Sequence, residues 1–444
     1  MATAACGCPI GYGAMAEQVA PVAAPERTLF GHPPGLTVLF LTQMWAEFSY
    51  FGLQALLVYY MTQQLGFSQA RSSIIYGAYG AAAFFSPFLG GIIADRWFGR
   101  TRSVTIGAAL MMSGHFAMAF EPLLFPALAL VALGNGLFLP PLAVQVGGLY
   151  RDEDPRKSTA YSAYYMGINL GGLLAPLVCG SLGELVGWHW GFAAAGVGMA
   201  IGLGIYLTNL RRLPPEPNRA ASRASRAEVS RADLPRLALL AAVVAVVILF
   251  RIGYEQSGNV IALWVLQQTD RSLPLPGGAV IVPATWFQMI NPLLIIVLTP
   301  LLIHHWNRGP DRALPATLMR RMSIGCVIST GSMLVMVLAA LVWQRDGQPV
   351  SLWWAVCYFV LLTIGELLVI PVGLALVDIV APTALAATAM GAWYIAKFLG
   401  TLGAGLIGAY WGTIPPALFF LIGAASSAVA AVLLLALASH GGSR

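Results

Sequence analysis

Long apolar runs constrain this chain more than any other feature of its sequence. Examples cover residues 35–62, 126–148, 280–304 and 417–438, and about twelve such runs follow one another between short polar turns. A membrane-spanning helix needs roughly 20 predominantly apolar residues. Only 9% of the residues are charged, whereas a typical soluble domain has about 25%. Lipid is therefore the expected solvent for most of the chain.

The apolar runs are expected to be helices. Backbone polar groups have no partners in lipid, so a spanning segment must be a helix or part of a closed barrel. The runs lack the strict alternation of apolar and polar residues that barrel strands show. The sequence therefore predicts an all-α integral membrane protein with about 12 transmembrane helices.

The positions of basic residues predict the orientation in the membrane. With the amino terminus inside, most of the 24 Lys and Arg residues fall in inside loops, and only Arg71, Arg271 and Arg345 fall in outside loops. Basic residues concentrate in cytoplasmic loops. We therefore expect a multi-pass protein of the cell (inner) membrane with both termini in the cytoplasm. The net charge of +6 is then a property of these loops and predicts no nucleic-acid partner.

One long hydrophilic break divides the chain near its middle. It is rich in Arg, Ser, Ala and Pro. The expected organisation is a cytoplasmic tail (1–34), an N-terminal six-helix bundle (35–210), a cytoplasmic linker (211–236) and a C-terminal six-helix bundle (237–439). Two six-helix halves around a central cavity resemble the major facilitator fold, in which the substrate site lies near the bilayer midplane.

A loop motif after the second predicted span supports this fold. Residues 90–102 read GGIIADRWFGRTR. They resemble the major facilitator signature G-x-x-x-D-R-x-G-R-x-R, with one extra residue before Gly99. By this resemblance, Asp95 and Arg96 are expected to act in gating and stability rather than in reading the substrate.

Four further motifs resemble one family within that superfamily. In chain order they are 134–140 (GNGLFLP), 164–173 (YYMGINLGGL), 286–293 (WFQMINPL) and 365–374 (GELLVIPVGL). They are similar to signatures on helices 4, 5, 8 and 10 of the proton-dependent oligopeptide transporter (POT) family. The resemblance implies proton-coupled uptake of di- and tripeptides or peptide-like solutes by alternating access. It also implies no cofactor beyond the proton gradient, and function as a monomer.

The first predicted span departs from the family pattern. The family has E-x-x-E-R-F-x-Y-Y, whereas residues 43–51 read QMWAEFSYF. Gln43 and Ala46 replace the two glutamates, and Glu47 replaces the arginine. Leu139 stands where the family has a lysine on helix 4. By resemblance, the acids serve proton coupling and the two bases hold the peptide carboxylate, so that end of the site is rebuilt in this chain.

The other end of the family's site is retained. The resemblance implies contacts with the substrate's amino terminus, an aromatic wall, and an acid on helix 7. The corresponding residues are Asn169, Asn291 and Glu366 for the amino terminus, Tyr50, Tyr79 and Trp393 for the wall, and Glu255 for the acid. The amides and the aromatic residues also have simpler interpretations, as helix-packing groups.

Five charged residues lie within predicted spans: Glu47, Arg251, Glu255, Glu366 and Lys397. A charge at such a position costs about 3 kcal/mol on insertion scales, so each marks a site hypothesis. We expect Lys397 or Arg251 to supply the positive charge lost from helices 1 and 4. Arg251, Glu255, Glu366 and Glu47 are the candidates for proton coupling and gating. Two simpler interpretations stay open: a structural pair of Arg251 with Glu255, and a Lys397 that snorkels or pairs with Glu366.

Three other functions were weighed. The altered carboxylate end also suits a transporter, for import or export, of a peptide-like or amine substrate without a free carboxylate. A receptor that binds solute without moving it is a second alternative. An enzyme is not expected, because no nucleophile–base pair or metal cluster is evident, and no phosphate-binding G-x-x-x-x-G-K-[ST] motif is present.

Overall fold

The structure is a computed structural model that describes residues 31–150, 154, 156–216, 233–276, 278–306, 315–382 and 386–441. Most of the expected tail and of the expected linker lies outside these residues. Nearly every described segment is helical, and the prediction of an all-α fold is confirmed. The helices form twelve rods in the described part of the chain, six on each side of the linker.

The first half contains seven helices that form six rods. A π-helical turn at Pro176–Gly180 joins α5 to α6, so these two make one rod. The helices are α1 (Pro34–Tyr59), α2 (Gln69–Ile93), α3 (Arg100–Ala117), α4 (Leu124–Gly148), α5 (Arg156–Ala175), α6 (Ser181–Leu185) and α7 (Trp188–Thr208).

The second half repeats this number of rods. A 3-10 turn at Glu255–Gly258 joins α8 to α9, and another at Ala284–Met289 leads into α10. The helices are α8 (Leu234–Tyr254), α9 (Val260–Gln268), α10 (Ile290–Trp306), α11 (Pro315–Asp346), α12 (Leu352–Val380), α13 (Ala386–Gly408) and α14 (Pro416–Gly441).

Four short strands lie between rods of the second half. β2 (Ser272–Leu275) and β3 (Gly278–Ile281) form an antiparallel hairpin, with Ser272 opposite Ile281. β1 (Thr269–Asp270) pairs in parallel with β4 (Val350–Ser351). The strands connect rods and do not cross the bundle.

Nine rods of the described chain are long and apolar enough to cross a membrane. The three less apolar rods are formed by α1, α3 and α13. They carry, among other polar residues, Glu47, His115 and Lys397. Two of these three less apolar rods, those of α1 and α13, therefore each place a charged side chain, Glu47 or Lys397, within the bundle.

Local sequence signals set several rod boundaries. α2 follows Ser68, whose hydroxyl accepts a hydrogen bond from the Arg71 amide at 3.3 Å, as an N-cap serine does. Pro34 and Pro416 open α1 and α14, where the missing amide hydrogen costs no helical hydrogen bond. The seventh rod breaks at Asn259, whose φ of −114° and ψ of −98° are not helical.

The two halves meet along two helix pairs, α2 with α13 and α5 with α10. Several hydrogen bonds join the halves at the end of the bundle that carries the α1–α2 turn, which we call the joined end. The Tyr59 hydroxyl donates to the Ala262 carbonyl at 3.0 Å, and the Gln69 amide donates to the Gly408 carbonyl at 3.0 Å. If basic loops lie inside, the joined end faces outward.

The motif at residues 90–102 turns the chain at the opposite end. Asp95 and Arg96 lie in a π-helical turn at Ala94–Phe98, and both are exposed. Gly99 follows with a φ of +80°, a conformation that side chains other than glycine rarely adopt. Gly90 packs directly against the backbone of Gly136 on α4, so a Cβ there would overlap the Gly136 carbonyl. The motif therefore shapes a turn and a helix contact.

We predict that Gly90→Ala lowers the unfolding temperature in detergent while Gly91→Ala leaves it nearly unchanged. The new methyl group at position 90 would force α2 and α4 apart, and overpacking costs roughly 1–3 kcal/mol. At position 91 the nearest atom would lie at 3.7 Å, an ordinary contact with Pro140. Both changes add the same methyl group, so equal unfolding temperatures would contradict the contact.

Candidate functional site

Glu366 on α12 is hydrogen-bonded to an amide of α10. The Asn291 Nδ2 atom donates to Glu366 Oε2 at 2.5 Å and also to the Thr363 hydroxyl at 3.1 Å. Tyr254 at the end of α8 lies beside the same carboxylate. Glu366 is buried, and none of the ion pairs among the described residues includes it. The carboxylate is therefore hydrogen-bonded to neutral groups, while Arg251 and Lys397 interact with it only at longer range.

Arg251 and Glu255 form a buried ion pair one helical turn apart. Arg251 Nη1 lies 3.2 Å from Glu255 Oε1, and the two side chains are 8% and 5% exposed. Gly400 on α13 packs so closely that a Cβ there would overlap the Arg251 side chain. Both partners belong to the seventh rod, so the pair stays within one half of the protein.

Glu47 on α1 is held by a chain of hydrogen bonds from α5. The Tyr164 hydroxyl donates to Gln43 Oε1 at 2.7 Å, and Gln43 Nε2 donates to Glu47 Oε1 at 2.7 Å. Tyr164 and Gln43 are buried, whereas Glu47 is half-buried. Gln43, which stands where the family has a glutamate, thus positions Glu47, which stands where the family has an arginine.

Lys397 on α13 reaches across the boundary between the halves. Its Nζ atom lies 3.7 Å from the centroid of the Phe84 ring on α2, which is a favourable position for a cation over an aromatic face. It interacts electrostatically with Glu255, Arg251, Glu47 and Glu366. It takes part in none of the ion pairs of the described residues, so it is a half-buried cation without a fixed anionic partner.

The expected aromatic wall divides into two places. Tyr50 and Tyr79 are buried, and their rings are stacked with centroids 6.4 Å apart. Trp393 is 4% exposed and packs against Gly373 of α12 in the core of the second half. Asn169 donates to the Tyr165 carbonyl of its own helix at 3.0 Å. Their assignment to the substrate site stays a prediction.

Other polar side chains near the charges were not assigned a role from the sequence. Tyr165 and Tyr394 are both exposed, and they lie within electrostatic range of Glu47 and Arg251. The side chains of these two tyrosines are therefore not covered by neighbouring helices. Tyr164 and Tyr165 are the first two residues of the motif at 164–173. This motif is the feature of the sequence from which their place near the site could have been predicted.

Together these residues form a polar centre inside an apolar bundle, to which both halves contribute. α1, α2 and α5 contribute Glu47, Phe84 and the tyrosines of the first half. α8 with the 3-10 turn that follows it, α10, α12 and α13 contribute the remaining charges and Asn291. Asp95 and Arg96 lie apart, at an exposed end of α2. The arrangement suits a bound solute that carries charges of both signs, because the carboxylates of Glu47 and Glu366 and the ammonium of Lys397 take part in no ion pair of the described residues.

We predict that Arg251→Gln lowers the thermal stability of the detergent-solubilised protein and that adding Glu255→Gln restores most of it. Removing one member of a buried pair leaves an uncompensated charge, at a cost of roughly 3–5 kcal/mol. As a control, Arg345→Gln breaks an exposed pair with Asp346 at 2.7 Å and is expected to have no measurable effect. A double variant as unstable as Arg251→Gln alone would contradict this account.

Comparisons with known proteins agree with this architecture. Residues 39–405 match the family model of the Major Facilitator Superfamily. The chain is 31% identical to the peptide transporter YePEPT of Yersinia enterocolitica, over 86% of this chain and 89% of the relative. It is also 31% identical to a di-/tripeptide transporter of Lactococcus lactis, over 84% and 88%. A solved structure of a POT family transporter in complex with 5-aminolevulinic acid superposes with a TM-score of 0.85 at 25% identity, covering 94% of this chain and 98% of that one.

Proposed function

Because this chain belongs to the POT family of the major facilitator superfamily, we propose that it takes up di- and tripeptides, or similar peptide-like solutes, together with protons. It is a membrane transporter and not an enzyme. We further propose that the protein lies in the bacterial inner membrane with both termini in the cytoplasm. It is proposed to function as a monomer driven by the proton gradient alone.

The observation that carries this proposal is that the polar centre holds a carboxylate, Glu366, and an ammonium, Lys397, neither of which has an ion-pair partner among the described residues. Glu366, with Asn291 beside it, can accept an ammonium group, and Lys397 can bind a carboxylate. A short peptide carries these two groups at its ends. A buried charge is tolerated when it is paired, so a peptide with free ends would satisfy both side chains at once. Tyr50, Tyr79, Asn169 and Trp393 complete the proposed substrate site.

The same charges support coupling to protons. Arg251 and Glu255 neutralise each other, which leaves the carboxylates of Glu47 and Glu366 and the ammonium of Lys397. A peptide with free ends adds no net charge, so the occupied centre carries one excess negative charge. Charge inside an apolar bundle is costly, and a bound proton removes it. Glu47 and Glu366 are therefore the proposed coupling groups. We also propose the Arg251–Glu255 pair for coupling or gating, and Asp95 and Arg96 for gating.

Uptake of labelled dialanine into liposomes tests the function. We expect the reconstituted protein to accumulate dialanine when a proton gradient is directed into the vesicles, and to equilibrate it without accumulation when a protonophore is added. Glu366→Gln is expected to abolish accumulation, because it removes both an ammonium partner and a proton carrier. Absence of uptake by folded, correctly oriented protein would overturn the proposal and favour export or a substrate without a free carboxylate.

Lys397→Gln tests the proposed carboxylate contact. A hydrogen bond to a charged group contributes roughly 1.5–3 kcal/mol, so we expect about a tenfold or larger rise in the KM for dialanine. Competition by dialanine amide, which has no carboxylate, should be unchanged, and Lys397→Arg should retain most of the affinity for dialanine. Equal discrimination between the two ligands in the native protein and in Lys397→Gln would show that Lys397 does not bind the carboxylate.

A further inference from the structure

Glu184 on α6 connects the two halves at the joined end. Its Oε1 atom accepts a hydrogen bond from the Thr285 amide at 2.7 Å, and its Oε2 atom accepts one from the Ala284 amide at 2.9 Å. Arg271 Nη1 lies 3.5 Å from the same carboxylate. The Glu184 side chain is 10% exposed. Both oxygens of a first-half carboxylate are thus bound to groups of the second half.

The two backbone amides that Glu184 binds lie at the start of a helical turn, where amides lack an acceptor within their own helix. Ala284 and Thr285 begin the 3-10 turn that leads into α10, and the first amides of a helix lack intrahelical acceptors. The residue before this turn is Pro283, whose side chain makes no capping hydrogen bond. The N-terminus of a helix also attracts negative charge. The eighth rod therefore receives its cap from the other half of the chain, about 100 residues earlier.

Neighbouring contacts between the same two segments extend the interface around Glu184. The Trp286 indole donates to the Ser181 hydroxyl at 2.8 Å, and Gly180 packs directly against the Thr285 side chain. Arg271 also donates to the Val282 carbonyl at 2.9 Å, so it stays with the second half when the halves separate. Separation at this end must therefore break both amide hydrogen bonds and the contact with Arg271.

We propose that Glu184 is a gating residue, a carboxylate latch that keeps the joined end closed and releases the start of the eighth rod in each transport cycle. Opening exposes the carboxylate and the two amides to water, which replaces the hydrogen bonds that are lost. The latch thus biases an equilibrium between two states and does not lock one of them. The inference rests on alternating access, as part of the proposed function, but it is tested separately from transport.

Distances between spin labels at the joined end report on the latch directly. Labels are placed at His189→Cys on α7 and Gln344→Cys on α11, two exposed positions in opposite halves, with the five native cysteines replaced by alanine. Double electron–electron resonance in liposomes then gives the ratio of long to short distances. We expect Glu184→Ala to raise this ratio roughly tenfold, because charged hydrogen bonds are lost. Glu184→Gln should raise it less, because an amide oxygen still accepts.

Glu121→Gln is the matched control. Glu121 also binds through a carboxylate at this end, but its partner is Gln64 of the same half at 2.8 Å, so its loss should leave the distances unchanged. If Glu184→Ala proves unstable, Glu184→Gln decides the question. Distances like those of the native protein in the folded Glu184 variants would overturn the latch. A shift in distances without dialanine uptake by the native protein would support the latch and reject the proposed substrate.

Discussion

The cost of charge inside an apolar bundle governs the centre of this protein. Each charged side chain there has a compensating contact, and for Glu366 and Lys397 that contact comes from another helix. Asn291 of α10 binds Glu366 of α12, Tyr164 of α5 orders Gln43 and Glu47 of α1, and Phe84 of α2 lies under Lys397 of α13. The helices are therefore placed by their polar contacts as well as by their apolar packing.

Some of these compensating contacts neutralise the charge and others do not, and this difference has a functional consequence. The Arg251–Glu255 pair lies within one rod and is complete by itself, so movement of the halves need not disturb it. Glu366 and Lys397 are held by neutral groups, an amide and an aromatic ring, which leave their charges available to a ligand. A charged solute would find no ionic partner in a centre whose charges were all paired, whereas here Glu366, Lys397 and also Glu47 take part in no ion pair of the described residues.

Part of this site can be read from the sequence, and the rest cannot, for a physical reason. The five charged residues stand out because they interrupt apolar runs, and the Arg251–Glu255 pair follows from their spacing of four. The partners of the other charges do not follow, since Tyr164 and Gln43 are 121 residues apart and Asn291 and Glu366 are 75 apart. Glu184 gave no signal, because a carboxylate at the end of a span is ordinary until its partner is known.

The sequence by itself determined that the chain enters a membrane as about twelve helices in two halves. Lipid offers the backbone no partners, so the long apolar runs must be helices or barrel strands, their lack of alternation excludes the strands, and the one long hydrophilic break separates the halves. It also determined several rod boundaries through Pro34, Ser68 and Gly99. Only the tertiary structure decided that Gly90 packs more closely against α4 than Gly91 does, that Lys397 faces the first half, and that Glu184 caps the eighth rod. These features depend on distances between residues far apart in the chain, and helix packing alone sets those distances.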